Sequence, residues 1–127
     1  MEFLWVGVGG FAGANARYIV GTFVGGRIGT AFPYGTFLVN VAGSLAIGVI
    51  LTLLTEVLIT DPLWRRLVVV GFLGGFTTFS SFTYEAIALI EEGAWGQALS
   101  YVVGSNLLGL AACAAGVVAA RAIGRIG

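Results

Sequence analysis

Histidine is absent from this sequence, and with it go the commonest general base, the commonest metal ligand and the side chain that titrates near neutrality. Cysteine is nearly absent too. Cys113 is the single copy, so an intrachain disulfide is impossible and a thiolate metal cluster has no basis. Set among small apolar residues, it reads as a packed hydrophobe. No Ser/His or Cys/His pair can exist, adjacent carboxylates occur only as Glu91-Glu92, and no phosphate-cradling motif is present. The sequence offers no constellation for catalysis. Charge is scarce, at 9% of residues against about a quarter in soluble domains. Formal net charge is zero and no basic run occurs, which argues against a nucleic-acid partner. Glu2 stands where a secretory leader needs positive charge, and apolar sequence runs on without a small-residue cleavage site, so the N-terminus reads as a first span.

What is present is apolar. Hydrophobic residues make up 58% of the 127 and mean hydropathy is +1.01, the composition of a membrane protein. A bilayer core needs roughly 20 apolar residues per helix, and four segments supply them, at about 3–24, 34–54, 67–90 and 98–120. Short connections leave no room for a second domain, so the chain is expected to be a single all-α domain of four transmembrane helices. An even number of spans puts both termini on one side. Gly25-Gly26-Arg27 through Pro33 reads as a loop. Thr60-Asp61-Pro62 reads as a helix N-cap with proline in the first turn, and Glu91-Glu92-Gly93 closes the third span, with Glu85 placed near its end. Glycine is frequent, with 21 copies, and pairs such as Gly9/Gly13, Gly21/Gly25 and Gly71/Gly75 have the spacing that lets helices approach closely. Four short helices enclose little volume, so oligomerisation is expected.

One stretch resists a plain spanning role: Gly71-Phe72-Leu73-Gly74-Gly75-Phe76-Thr77-Thr78-Phe79-Ser80-Ser81-Phe82. Its glycines and hydroxyl residues can free backbone groups from a helix, and hydrocarbon cannot satisfy them. Such a break persists in a membrane only where protein or a water-filled cavity surrounds it, which makes the stretch a candidate permeation pathway. Thr36, Asn40 and Ser44 in the second span stack on one face by four-residue spacing; interhelical hydrogen bonding and a pathway role are both open to them. Phe76, Phe79 and Phe82 recur every three residues. Ring edges favour anions and ring faces favour cations, hydroxyls and amides can donate to an anion, and freed carbonyls suit a hard cation. From these residues the sign of the permeant ion stays open. Tyr101 and Ser105 share a face of the fourth span, and Arg17 in the first can snorkel to an interface or give a vestibule positive potential.

With these motifs the sequence resembles the Fluc/CrcB fluoride channel family over essentially its whole length. The resemblance rests on Gly9-Gly10 ahead of Arg17, on Gly35-Thr36-Phe37-Leu38-Val39-Asn40-Val41-Ala42-Gly43-Ser44, and on the Gly71–Phe82 stretch. It implies a dual-topology homodimer of antiparallel subunits in the lipid bilayer, a third helix broken near the midplane, and two fluoride pores beside the interface. It implies a structural sodium ion held by backbone carbonyls of both copies, at Gly74 and Thr77. The fluoride pathway carries over to Asn40, Phe79, Phe82, Tyr101 and Ser105, with Thr36, Ser81 and a vestibule Arg17. Two departures stand out. Gly109 occupies a position of the fourth-helix track where a hydroxyl is expected. Arg65, Arg66, Arg121 and Arg125 lie on the side of the termini, against Arg27 and Arg17 opposite, whereas dual insertion needs near balance. An oppositely oriented homologue is therefore the alternative partner. The competing function is a small dual-topology proton-coupled exporter, but Glu2, Glu56, Asp61, Glu85, Glu91 and Glu92 all fall at span ends or in loops, where such an exporter needs a deep carboxylate.

Overall fold

The structure, a computed structural model, describes residues 1–127. It is almost entirely helical. Helix α1 runs over Glu2–Ile28 and α2 over Tyr34–Thr52, continued by a π-helical turn at Leu53–Val57. Helix α3 comprises Pro62–Trp64, a π-helical stretch at Arg65–Leu73 and a last turn at Gly74–Phe76. After a break come α4, Phe79–Glu91, and α5, Trp95–Ile126. The stretches Tyr34–Val57, Pro62–Glu91 and Trp95–Ile126 are long and apolar enough to cross a membrane. Helix α1 has comparable length, but Asn15, Arg17 and its glycines dilute its apolar character.

The punctuation follows local chemistry. Asp61 caps α3 by accepting from the Leu63 N–H at 2.9 Å, with Pro62 in the first turn. Gly93, at φ 79°, closes the turn after α4. The first connection begins later than the sequence suggests. Helix α1 passes through Gly25, Gly26 and Arg27 and ends only at Gly29, where φ is 98° and the N–H returns to the Gly25 carbonyl. A glycine pair weakens a helix without stopping it; the left-handed residue is what ends it. Glu85 lies in the middle of α4, in the last part of the Pro62–Glu91 span.

Two close helix pairs frame the chain. Helix α1 packs on α3 so tightly that a Cβ on Gly13 would collide with the Phe72 carbonyl oxygen. Helix α2 packs on α5, where a Cβ on Gly48 would collide with the Cys113 carbonyl oxygen. Glycine lets these backbones touch, as dispersion-driven packing in lipid requires. Only 16 of 127 residues are buried, far too few for a water-soluble core, and large side chains such as Phe3, Phe11 and Ile126 stand exposed on the outside. Lipid is the solvent that such a surface suits. A buried apolar cluster lies between α4 and α5, where Ala86, Leu89, Ala98 and Tyr101 pack with Phe32, Phe37 and Phe82.

Candidate ion pathway

The Gly71–Phe82 stretch breaks at Thr77 and Thr78, whose backbones are extended (ψ 157° and 122°). Unpaired backbone groups at membrane depth cost several kcal/mol each, so their partners can be counted one by one. The Thr77 N–H returns to the Leu73 carbonyl at 3.0 Å. Thr78 is clamped by one side chain: its N–H donates to Asn40 Oδ1 at 2.8 Å, and its carbonyl accepts from Asn40 Nδ2 at 2.9 Å. Thr78 in turn caps α4, its Oγ1 accepting from the Ser81 N–H at 3.2 Å. The Gly75 carbonyl accepts from Arg17 Nε at 3.1 Å. No protein donor reaches the carbonyl oxygens of Gly74 and Thr77. These are hard oxygen donors of the kind that bind a hard cation. One chain offers this pair within the groove, and a second copy would bring the set to four of the roughly six oxygens a hard cation takes, a donor chemistry that suits sodium with other oxygens completing the shell.

Both freed carbonyls belong to residues lining a groove of about 560 Å³. Asn40, Phe79, Phe82 and Ser105 line the same groove. Ser105 Oγ is buried and has no hydrogen-bond partner, and a buried polar group of this kind needs water or a ligand to complete it. Phe79 and Phe82 lie 6.0 Å apart between ring centroids, and Phe82 leans on Tyr101 at 5.0 Å. Phe76 belongs to neither contact. The break turns it away to stack on Phe72 at 5.8 Å, so the three-residue aromatic period does not form one stripe.

A second hollow of about 200 Å³ is lined by Arg17, Thr36, Ser81 and again Thr78. The break therefore borders both spaces. Beside it, Glu85 Oε1 accepts from Thr36 Oγ1 at 2.7 Å and meets the Tyr101 hydroxyl at 3.5 Å. Thr36, Ser81 and Glu85 also face a shallow space of about 380 Å³.

The family model described as "CrcB-like protein, Camphor Resistance (CrcB)" matches residues 4–117. The chain belongs to the CrcB-like family. A relative from Solibacter usitatus, named fluoride-specific ion channel FluC, is 50% identical over 121 residues, covering 95% of this chain and 99% of the relative. Relatives of the same name from Koribacter versatilis and Chloroflexus aurantiacus are 45% and 46% identical, over 87% and 95% of this chain and 88% and 96% of their own lengths. A CrcB-like chain with three such apolar helices is a multi-pass membrane protein, and its family is one of ion channels rather than enzymes.

Set on this CrcB-like fold, the residues singled out from sequence divide into groups. Asn40, Phe79, Phe82, Ser105, Gly74 and Thr77 share the large groove, while Arg17, Thr36 and Ser81 share the smaller hollow. Tyr101 reaches neither; it is fully enclosed, between Phe32, Phe82 and Glu85. Thr78 was not anticipated at the site, and Glu85 was open to either a pathway mouth or an interface. Thr78 had a readable signal, a threonine three residues ahead of a free N–H at a helix start. Glu85 stood out as a carboxylate in the third span, but its partner Thr36, 49 positions away, did not.

Proposed function

We propose that this chain is a passive, fluoride-selective channel of the cytoplasmic (inner) membrane that lets fluoride leave the cell and so limits its toxicity. The observation that carries the reading is the shared groove. Unclaimed carbonyls, an orphaned hydroxyl, an amide and two aromatic rings converge there at a helix break, in a chain half identical to a protein named for fluoride conduction. In this reading α1, α2, the broken α3–α4 pair and α5 make four spans of one domain, and two copies insert antiparallel, closing each other's grooves. A homologue of opposite orientation is the second candidate for the partner.

Fluoride is small and strongly hydrated, and removing its water without replacement costs roughly tens of kcal/mol. The remaining Asn40 N–H, the Ser105 hydroxyl and the edges of Phe79 and Phe82 replace that shell in steps. Dispersed ligands avoid a single deep trap, as conduction requires. Thr36, Ser81 and Arg17 line the approach from the smaller hollow, and Tyr101 fixes Phe82 from behind. Gly74 and Thr77 of the two copies hold a structural sodium ion, which supplies positive charge against their carbonyl dipoles. A negative cell interior drives an anion outward through any such passive pore. The proton-coupled exporter is not favoured, because the named relatives are ion channels.

Purified protein in liposomes tests this. With potassium permeability supplied, fluoride efflux should be fast, chloride efflux absent, and a pH gradient without effect. Folded protein in sodium that releases no fluoride, or releases it only in exchange for protons, rules the channel out.

A further inference from the structure

Arg17, on α1, is the one side chain from another helix that binds the backbone of the α3 terminus. Its Nε donates to the Gly75 carbonyl at 3.1 Å, across 58 positions of sequence. Gly75 sits between Gly74 and Thr77, the residues whose carbonyls stay unclaimed. Arg17 lines the small hollow and those two residues line the large groove, so Arg17 reaches this turn from a different space than the one the unclaimed pair borders. Half-buried and hydrogen-bonded through Nε, the guanidinium is committed to that turn and is no freely hydrated surface charge.

We propose that Arg17 is a positioning residue for the cation site, acting by fixing the Gly75 carbonyl on the hollow side so that Gly74 and Thr77 stay turned to the groove. The proposal rests on the sodium reading above. Asn40 holds the far side of the break through Thr78, and Arg17 holds the near side through Gly75. Between those anchors the peptide planes from Gly74 to Thr77 have little freedom to rotate. Without Arg17, the Gly75 carbonyl is left unpaired at membrane depth, and the turn relaxes to recover a partner for it. A relaxed turn binds a cation less tightly, since ligands must be held within a few tenths of an ångström and a few degrees of the productive geometry.

Side-chain anatomy separates this role from that of a vestibule charge. Glutamine has a nitrogen donor at the same distance along the side chain as arginine Nε, but no charge. Lysine keeps the charge but has a methylene at that position. Methionine has neither. The experiment measures thermal unfolding of the purified dimer across a sodium titration, with choline replacing sodium at constant ionic strength, and cross-linking to confirm the dimer. Arg17→Gln should keep the sodium midpoint of the unsubstituted protein within about threefold, while Arg17→Lys and Arg17→Met raise it at least tenfold. If Arg17→Lys matches the unsubstituted protein while Arg17→Gln behaves like Arg17→Met, charge is what matters and the positioning role is overturned. Should Arg17→Met fail to fold, the comparison of Gln with Lys still decides. An unsubstituted protein indifferent to sodium overturns the sodium reading itself, and the proposal goes with it.

Discussion

Asn40 makes two hydrogen bonds to a single residue, Thr78, taking its N–H at 2.8 Å and its carbonyl at 2.9 Å. The amide thereby does for the broken turn what a neighbouring strand does for a sheet residue. One N–H of the amide remains, and the groove is where that hydrogen can serve an ion. Asn40→Ala removes both bonds and leaves two backbone groups unpaired, a loss of about 2–4 kcal/mol. Thermal unfolding should register that loss while flux falls at least a hundredfold. Unchanged unfolding with slowed flux would instead restrict Asn40 to contact with the ion.

Gly43 stands against the same break from α2. A Cβ there would collide with Cγ2 of Thr77. Gly43→Ala should therefore cost about 1–3 kcal/mol through overpacking and displace Thr77 along with its carbonyl. Thr77→Ser removes the offending methyl and keeps a hydroxyl for the Leu73 carbonyl that Thr77 Oγ1 reaches at 3.0 Å. The double variant Gly43→Ala/Thr77→Ser should recover most of the stability and flux. A double-mutant cycle with coupling below about 0.5 kcal/mol, the scatter expected of independent sites, would show that this contact does not govern the turn.

Much of this was legible in the sequence for identifiable reasons. Helix extent follows from apolar length, and the Asp61-Pro62 start is a local motif with a local hydrogen bond. The break was visible as a concentration of glycine and hydroxyl residues in an apolar run. Its partners were not. Asn40 meets Thr78 across 38 positions and Arg17 meets Gly75 across 58, and no periodicity encodes which carbonyl a distant side chain will choose. Arg17 read from sequence as an interface or vestibule charge; its Nε is in fact committed to the backbone. The Phe76/Phe79/Phe82 period misled for a related reason, since a helical repeat carries no meaning across residues that leave the helix.

Phe79 and Phe82 differ in what they rest on, and their substitutions should differ accordingly. On a single chain Phe79 is 77% exposed, whereas Phe82 is half-buried against Tyr101. Phe79→Ile and Phe82→Ile should both slow or abolish fluoride flux by removing an edge that favours the anion. Only Phe82→Ile also loses an internal aromatic pair, worth about 0.5–1.5 kcal/mol, so its unfolding should shift more. Normal conduction by both variants would discard the ring-edge mechanism and leave the family assignment untouched.

Gly109 interrupts the polar face of α5 that begins with Tyr101 and Ser105, and the structure shows what stands opposite. A Cβ on Gly109 would lie 3.5 Å from Ser44 Oγ, and Ser44 lines the large groove while its hydroxyl bonds the Asn40 carbonyl at 2.8 Å. Asn106 lines the same groove and donates one of its two amide hydrogens to the Val102 carbonyl at 2.7 Å, so it is one candidate for the gap and Ser44 is the other. Ser44 brings a hydroxyl to this place from α2, one turn beyond Asn40, and it donates into the groove when its single hydrogen turns away from the Asn40 carbonyl. Ser44→Ala should slow fluoride flux about tenfold, the equivalent of one hydrogen bond near 1.4 kcal/mol. The site has room for a side chain at 109, since 3.5 Å is an ordinary contact. Gly109→Ser placed in the Ser44→Ala background should then restore flux to within about threefold, by returning a donor to the groove from the other wall. Ser44→Ala channels that conduct at full rate would show that Ser44 serves only the backbone of its own helix. A failed rescue with intact dimer would show that the hydroxyl is needed on α2 and that α5 cannot replace it.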